Sequence, residues 1–180
     1  IVRDMEGEDA YIKRMQQTAR GTQNKLAIGQ GDEIDSDQTY HGDIYGKGAF
    51  FMHSLRYIMG DEIFFPTLKK LATDPQYTYD NTVVTADVEK LFSSAYGKSL
   101  QPLFQLFLYT TNKLEVRVKQ TGEDKYSVSL LNLDMPLPLD VITDKGKQRI
   151  TVDAKGTMVN SKTMIQVDPS VYYLKKVIYE

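Results

Sequence analysis

The chain contains no cysteine. That excludes disulfides, thiolate nucleophiles and cysteine-ligated metal, and it suits a cytoplasmic or an exported protein equally. Histidine is nearly as scarce, with only His41 and His53 in 180 residues. Twelve positions apart, they lack the i, i+4 spacing that sets two imidazoles on one helix face for zinc. Basic excess is missing too. A formal net charge of −2 gives no electrostatic footprint for nucleic acid, which asks for a basic patch or stripe. No run approaches the roughly 20 apolar residues of a membrane-spanning helix. The start "IVRDMEGEDA" lacks the basic head and apolar middle of a signal peptide, and it has no initiator methionine, which fits a processed or truncated start inside a longer gene product. There is no G-x-S-x-G elbow, P-loop or G-x-G-x-x-G. The glycine pairs in "GQGDE" and "GKGAF" lack the strand–turn–helix setting such motifs need. Internal repeats and low-complexity tracts are absent as well.

What is present is enough apolar matter for a core, 41% of residues, with 26% charged to keep it in water. The periodicity divides the chain. Residues 1–112 read as helical and residues 113–180 as strands, which predicts an α+β fold by segregation, or two domains meeting near Asn112. In "EDAYIKRMQQTARG", Tyr11, Ile12, Met15 and Ala19 recur at helical spacing, with Gly21 as the stop. A polar, glycine-punctuated stretch of about twenty residues follows. Its acids Asp32, Glu33, Asp35 and Asp37 do not fit the calcium-loop pattern and read as a solvated loop.

Next comes "HGDIYGKGAFFMHSLRYIMGDE". Asp43 reads as the N-cap of a helix that is apolar nearly all round from Ala49 to Met59, hence buried. Gly60 closes it and Asp61 caps "EIFFPTLKKLATD", with Pro66 in or near the first turn. Thr85 is read as the cap of "ADVEKLFSSAYG", and Ser99 as the cap of "LQPLFQLFLYTT". After Asn112 the period becomes two: Leu114, Val116 and Val118, then Tyr126, Val128 and Leu130, then Leu137, Leu139 and Val141 point inward. Six or seven short strands with Gly, Pro and Asp turns predict an antiparallel β-sandwich.

Tyr45 is the residue with chemical promise. A phenol with a reference pKa of about 10 is protonated at neutral pH and can donate to a developing oxyanion. Gly46 and Gly48 clear space for a close approach of backbone or ligand. Lys47 can neutralise a carboxylate or face water, and with His41 in the adjoining loop it is a candidate for substrate binding. A buried structural tyrosine at a helix start accounts for Tyr45 equally well. His53, inside an apolar helix, reads as a packing residue, and His41 as a solvated one.

The stretch "DIYGKGAFFMHSLRYIMGDEIFFPTLKKLA" resembles the segment after the zinc site in the M1 family of zinc aminopeptidases. Tyr45, Lys47, Gly48, Ala49, Leu55, Arg56, Gly60, Asp61 and Phe64 carry the likeness. "VTADVEKLFSSAYGKSLQPLFQLFLY" is similar to a later region of that family, with Phe107 where its tryptophan stands, and "TTNKLEV" replaces its glycine–x–proline entry to the sandwich. The resemblance is specific over residues 43–72 and looser after 112. It implies the C-terminal half of a thermolysin-like catalytic domain followed by a β-sandwich. It also implies a peptide substrate, zinc in the full-length enzyme, and a role for Tyr45 in stabilising the tetrahedral intermediate of peptide-bond hydrolysis. The family's H-E-x-x-H motif, the glutamate that is its third zinc ligand and its amine-binding motif have no counterpart here, so no metal ligand is assigned and the chain alone is expected to be inactive. A catalytic domain cut in half also implies an apolar face through which the chain can self-associate. Two other readings stand beside this one: a binding or adhesion module working through the sandwich surface, and a pseudo-peptidase that has lost its zinc site.

Overall fold

The computed structural model describes residues 2–29, 40–78 and 82–180, so the acids of residues 32–37 lie outside the described residues. Among the described residues six helices precede seven strands. The helices are α1 (Val2–Glu6), α2 (Glu8–Gly21), α3 (Gly42–Met59), α4 (Asp61–Thr73), α5 (Thr85–Tyr96) and α6 (Gln101–Tyr109). The strands are β1 (Leu114–Gly122), β2 (Lys125–Leu130), β3 (Leu137–Thr143), β4 (Gly146–Val152), β5 (Thr157–Asn160), β6 (Gln166–Val167) and β7 (Lys175–Tyr179). The change from helix to strand falls between Tyr109 and Leu114, and the fold is α+β. No helix among the described residues is long and apolar enough to cross a membrane.

The helix ends depart from expectation in informative ways. α1, five residues with none buried, precedes the first helix that the periodicity predicts. Gly60 serves as both the end of α3 and the start of α4, with φ 78° and ψ 156°. Because no linker intervenes, α4 begins at Asp61 and Pro66 falls in its second turn rather than its first. Val84, not Thr85, is the N-cap of α5, and the Asp87 carboxylate accepts from its backbone N–H at 3.1 Å. Leu100, not Ser99, precedes α6; Ser99 Oγ accepts from Gln101 N at 3.3 Å, and the Leu100 N–H goes to Ser93 Oγ at 2.9 Å. Gly97 ends α5 in the left-handed conformation, as read.

The strands form two sheets, one of order β5-β2-β1-β7 and one of order β4-β3-β6. Every pair is antiparallel except β1 with β7, which run parallel with Leu114 opposite Lys175, so the larger sheet is mixed rather than wholly antiparallel. The inward residues of β1, β2 and β3 are the expected ones: Leu114, Val116, Val118, Tyr126, Val128, Leu130, Leu137, Leu139 and Val141 are all buried.

Two domains meeting near Asn112 were expected; one buried cluster runs from Phe50, Leu55, Phe92 and Phe104 through Val116, Leu139 and Val167, and no strand is inserted among the helices. Polar pins cross the same boundary. Tyr57 donates from its hydroxyl to Asp140 at 2.7 Å, and Ser54 Oγ donates to the Tyr172 carbonyl at 2.7 Å. The rings of Tyr57 and Tyr172 stack with centroids 3.8 Å apart. Asp140 is buried and takes further contacts from Lys147 at 2.7 Å and Arg149 at 3.1 Å.

Candidate functional site

The site is built on the first turn of α3. Residues 43, 47, 50, 51 and 54 follow the i, i+3, i+4, i+7 stripe of one helix face, and all five are buried. Two of them are charged, Asp43 and Lys47, and each has partners. The Asp43 carboxylate does not cap its own helix; His41 holds the N-cap position. It instead accepts from the backbone N–H groups of Asn24 at 3.0 Å and Lys25 at 2.9 Å. Burial pushes this carboxyl up, and those N–H bonds outweigh it and hold it below its ordinary value. Asn24, at φ 52°, then reaches with its amide nitrogen to the Thr111 carbonyl at 2.7 Å.

Lys47 is fully buried, with 0% of its surface exposed, and its ammonium donates to the Thr110 carbonyl at 2.7 Å. Burial lowers its pKa and nearby Asp43 partly offsets that. Lys47 therefore faces neither water nor an open cleft. It ties the start of α3 to the end of α6. Gly46 lets the loop after α2 lie against the helix, since a Cβ there would stand 3.1 Å from Thr22 Oγ1. Gly48 has open space around it, so no close approach explains its lack of a side chain.

On the other side of this clamped turn, Tyr45 is 60% exposed, so it is not a buried structural tyrosine. Its hydroxyl is hydrogen-bonded to that of Tyr40, and the two rings meet edge to face with centroids 5.7 Å apart. The hydrogen bond to Tyr40, and after it burial, raises the Tyr45 phenol above its ordinary value. His41 is half-buried, with Nε2 3.3 Å from the Ala27 carbonyl. It borders a cleft of ≈ 440 Å³ with Thr18, Thr22, Gln23, Lys25 and Gly46. The three residues singled out in the sequence thus do not converge: Tyr45 points outward, Lys47 inward, and His41 back to the loop. Tyr40 escaped the sequence reading, and its one signal was an aromatic residue in the loop five positions before Tyr45.

A second polar cluster also went unread, because Glu8 and Tyr11 are distant in sequence from Arg56 and His53. Arg56 reaches both Glu8 oxygens at 3.0 Å and Asp61 at 2.6 and 3.0 Å. Its guanidinium lies 4.9 Å from the Tyr11 ring centroid, and the Tyr11 hydroxyl is 2.9 Å from His53 Nδ1. His53 is 2% exposed, consistent with its reading as a packing residue. Among the described residues no group of three or more histidine, aspartate and glutamate side chains is placed to hold a metal ion. Among the described residues, His53 lies on Tyr11 and His41 on the Ala27 carbonyl, and neither imidazole meets a second metal-ligating side chain.

No family model matches the chain, and no curated protein does. A solved structure does share its fold: Legionella pneumophila aminopeptidase A in complex with aspartic acid, with a TM-score of 0.72 and 18% identity over 99% of this chain. The chain spans 22% of the length of that aminopeptidase. The likeness is one of fold.

Proposed function

We propose that this chain forms part of a zinc-dependent aminopeptidase of the M1 type, comprising the C-terminal half of the catalytic unit and the two-sheet unit after it. In this reading Tyr45 donates a hydrogen bond to the oxyanion of the tetrahedral intermediate as a peptide's N-terminal residue is removed. One observation carries the reading: an exposed, protonated phenol on the first turn of an otherwise buried helix, in a chain whose whole length follows part of an aminopeptidase fold. The clamp on that turn adds support. Asp43, Lys47 and Asn24 fix the helix start against two other segments, and a donor held by a rigid element needs little reorganisation as charge develops. The zinc of this reading belongs to residues beyond those described, and no step of the chemistry is assigned to the metal here. Self-association through the helical half belongs to the same reading: Phe65 is 37% exposed beside a cleft of ≈ 410 Å³ lined by Met15, Met52, Phe64 and Leu68.

The test is hydrolysis of a panel of aminoacyl anilides by the entire gene product that carries this chain. Turnover that a chelator abolishes and zinc restores is expected. A folded, pure product with no turnover on any anilide overturns the enzyme reading and favours a binding module or a pseudo-peptidase.

A further inference from the structure

We propose that Tyr40 is a positioning residue of the same site: its hydroxyl pairs with that of Tyr45 and sets which phenolic proton is offered to a substrate oxygen. The inference rests on the reading of Tyr45 as an oxyanion donor and goes beyond it by naming a residue that acts through Tyr45.

Packing does not explain the pair. Tyr40 is 69% exposed and Tyr45 60%, and their hydroxyls are hydrogen-bonded to each other with the rings meeting at 86°. His41, the next residue, is extended at the N-cap of α3, and its ring nitrogen lies on the Ala27 carbonyl. Tyr40 thus adjoins the N-cap of α3 directly.

Two phenols carry two protons, and one hydrogen bond between them uses one. Whichever hydroxyl donates, one O–H is left for a third oxygen, and rotating the hydroxyls exchanges the roles. With no substrate present, Tyr45 can donate to Tyr40. When an oxyanion forms against Tyr45, Tyr45 turns its proton to that oxygen and accepts from Tyr40. Accepting a hydrogen bond makes a hydroxyl a stronger donor, so the pair strengthens as negative charge develops. Tyr40 thereby supports Tyr45 without touching the substrate.

The experiment compares Tyr40→Phe, Tyr45→Phe and the double variant in the entire gene product, with thermal midpoints as a folding control. Tyr40→Phe is expected to lower kcat roughly fivefold with KM unchanged, the worth of one ordinary hydrogen bond. Added to Tyr45→Phe it should cost nothing further. The alkaline limb of kcat should move to higher pH in Tyr40→Phe, because in the bound state Tyr45 accepts from Tyr40 and that bond makes its phenol the stronger acid. A purely structural role would not move that limb. Normal kcat in Tyr40→Phe beside a crippled Tyr45→Phe overturns the role of Tyr40 and leaves Tyr45 standing. Losses that multiply in the double variant overturn action through Tyr45. Normal kcat in Tyr45→Phe removes both readings together. In the chain itself, NMR of labelled tyrosine follows the Tyr45 ring through its titration. A Tyr45 pKa that Tyr40→Phe leaves unmoved shows there is no pair.

Discussion

At the scale of single residues, the sequence pointed to Tyr45 but misjudged its neighbours. Asp43 reads in the sequence as a helix cap, and Lys47 as a charge for a substrate carboxylate or for water. Their positions tell otherwise: with Phe50, Phe51 and Ser54 they fall on the face of α3 that is buried. A charged residue on such a stripe has to bring its partners inside with it, and these two do. His53 shows the energetic side of burial. Desolvation, and then the Arg56 guanidinium, pushes its imidazole down from 6.5 to about 4, with Glu8 partly offsetting the fall. The unfolded chain binds this proton below about pH 6.5, while the folded chain refuses it until about pH 4. Stability is therefore lost as pH falls through that window, by about 2–3 kcal/mol from this one group. Urea unfolding at pH 7 and pH 4.5 should show a larger drop in the native protein than in His53→Gln, by about 2 kcal/mol. Equal drops would show that His53 titrates alike in both states.

At the scale of elements, glycine stops were legible and caps were not. Gly60 and Gly97 end helices because their backbones sit at positive φ, a local property that residue type reports well. Which oxygen caps a helix start depends on where the rest of the chain lies. Asp43 was lost as a cap because the N–H groups of Asn24 and Lys25, from the loop after α2, claim its carboxylate. Gly60 is the element boundary with the strictest demand: φ 78° with ψ 156° is a region open to glycine almost alone, although nothing lies within 4 Å of an added Cβ. Gly60→Ala should therefore lower stability by about 1–3 kcal/mol through backbone strain rather than a clash. Chemical denaturation measures it, and an unchanged midpoint would mean that the α3–α4 joint relaxes freely.

At the scale of the whole molecule, the switch of period near residue 112 was readable because it is written in binary pattern, and inward positions such as Leu114, Val128 and Leu139 follow from it. Two things were not. The parallel pairing of β1 with β7 joins the first strand to the last, and no local turn specifies that register. The union of the two halves rests on pairs such as Tyr57 with Asp140 and Ser54 with Tyr172, residues 83 and 118 positions apart. The site inherits both kinds of information: the helix that carries Tyr45 is local, and the segments that clamp it are distant. The role of Tyr45 turns on whether that arrangement serves an oxyanion. The most direct measurement is kcat and KM of Tyr45→Phe in the entire gene product on an aminoacyl anilide, with its thermal midpoint alongside. The substitution removes one hydroxyl and keeps the ring, so kcat should fall about 10²–10³-fold, KM should change little and the midpoint should hold. A kcat within about threefold of the native value, far short of the loss of one oxyanion donor, would contradict it.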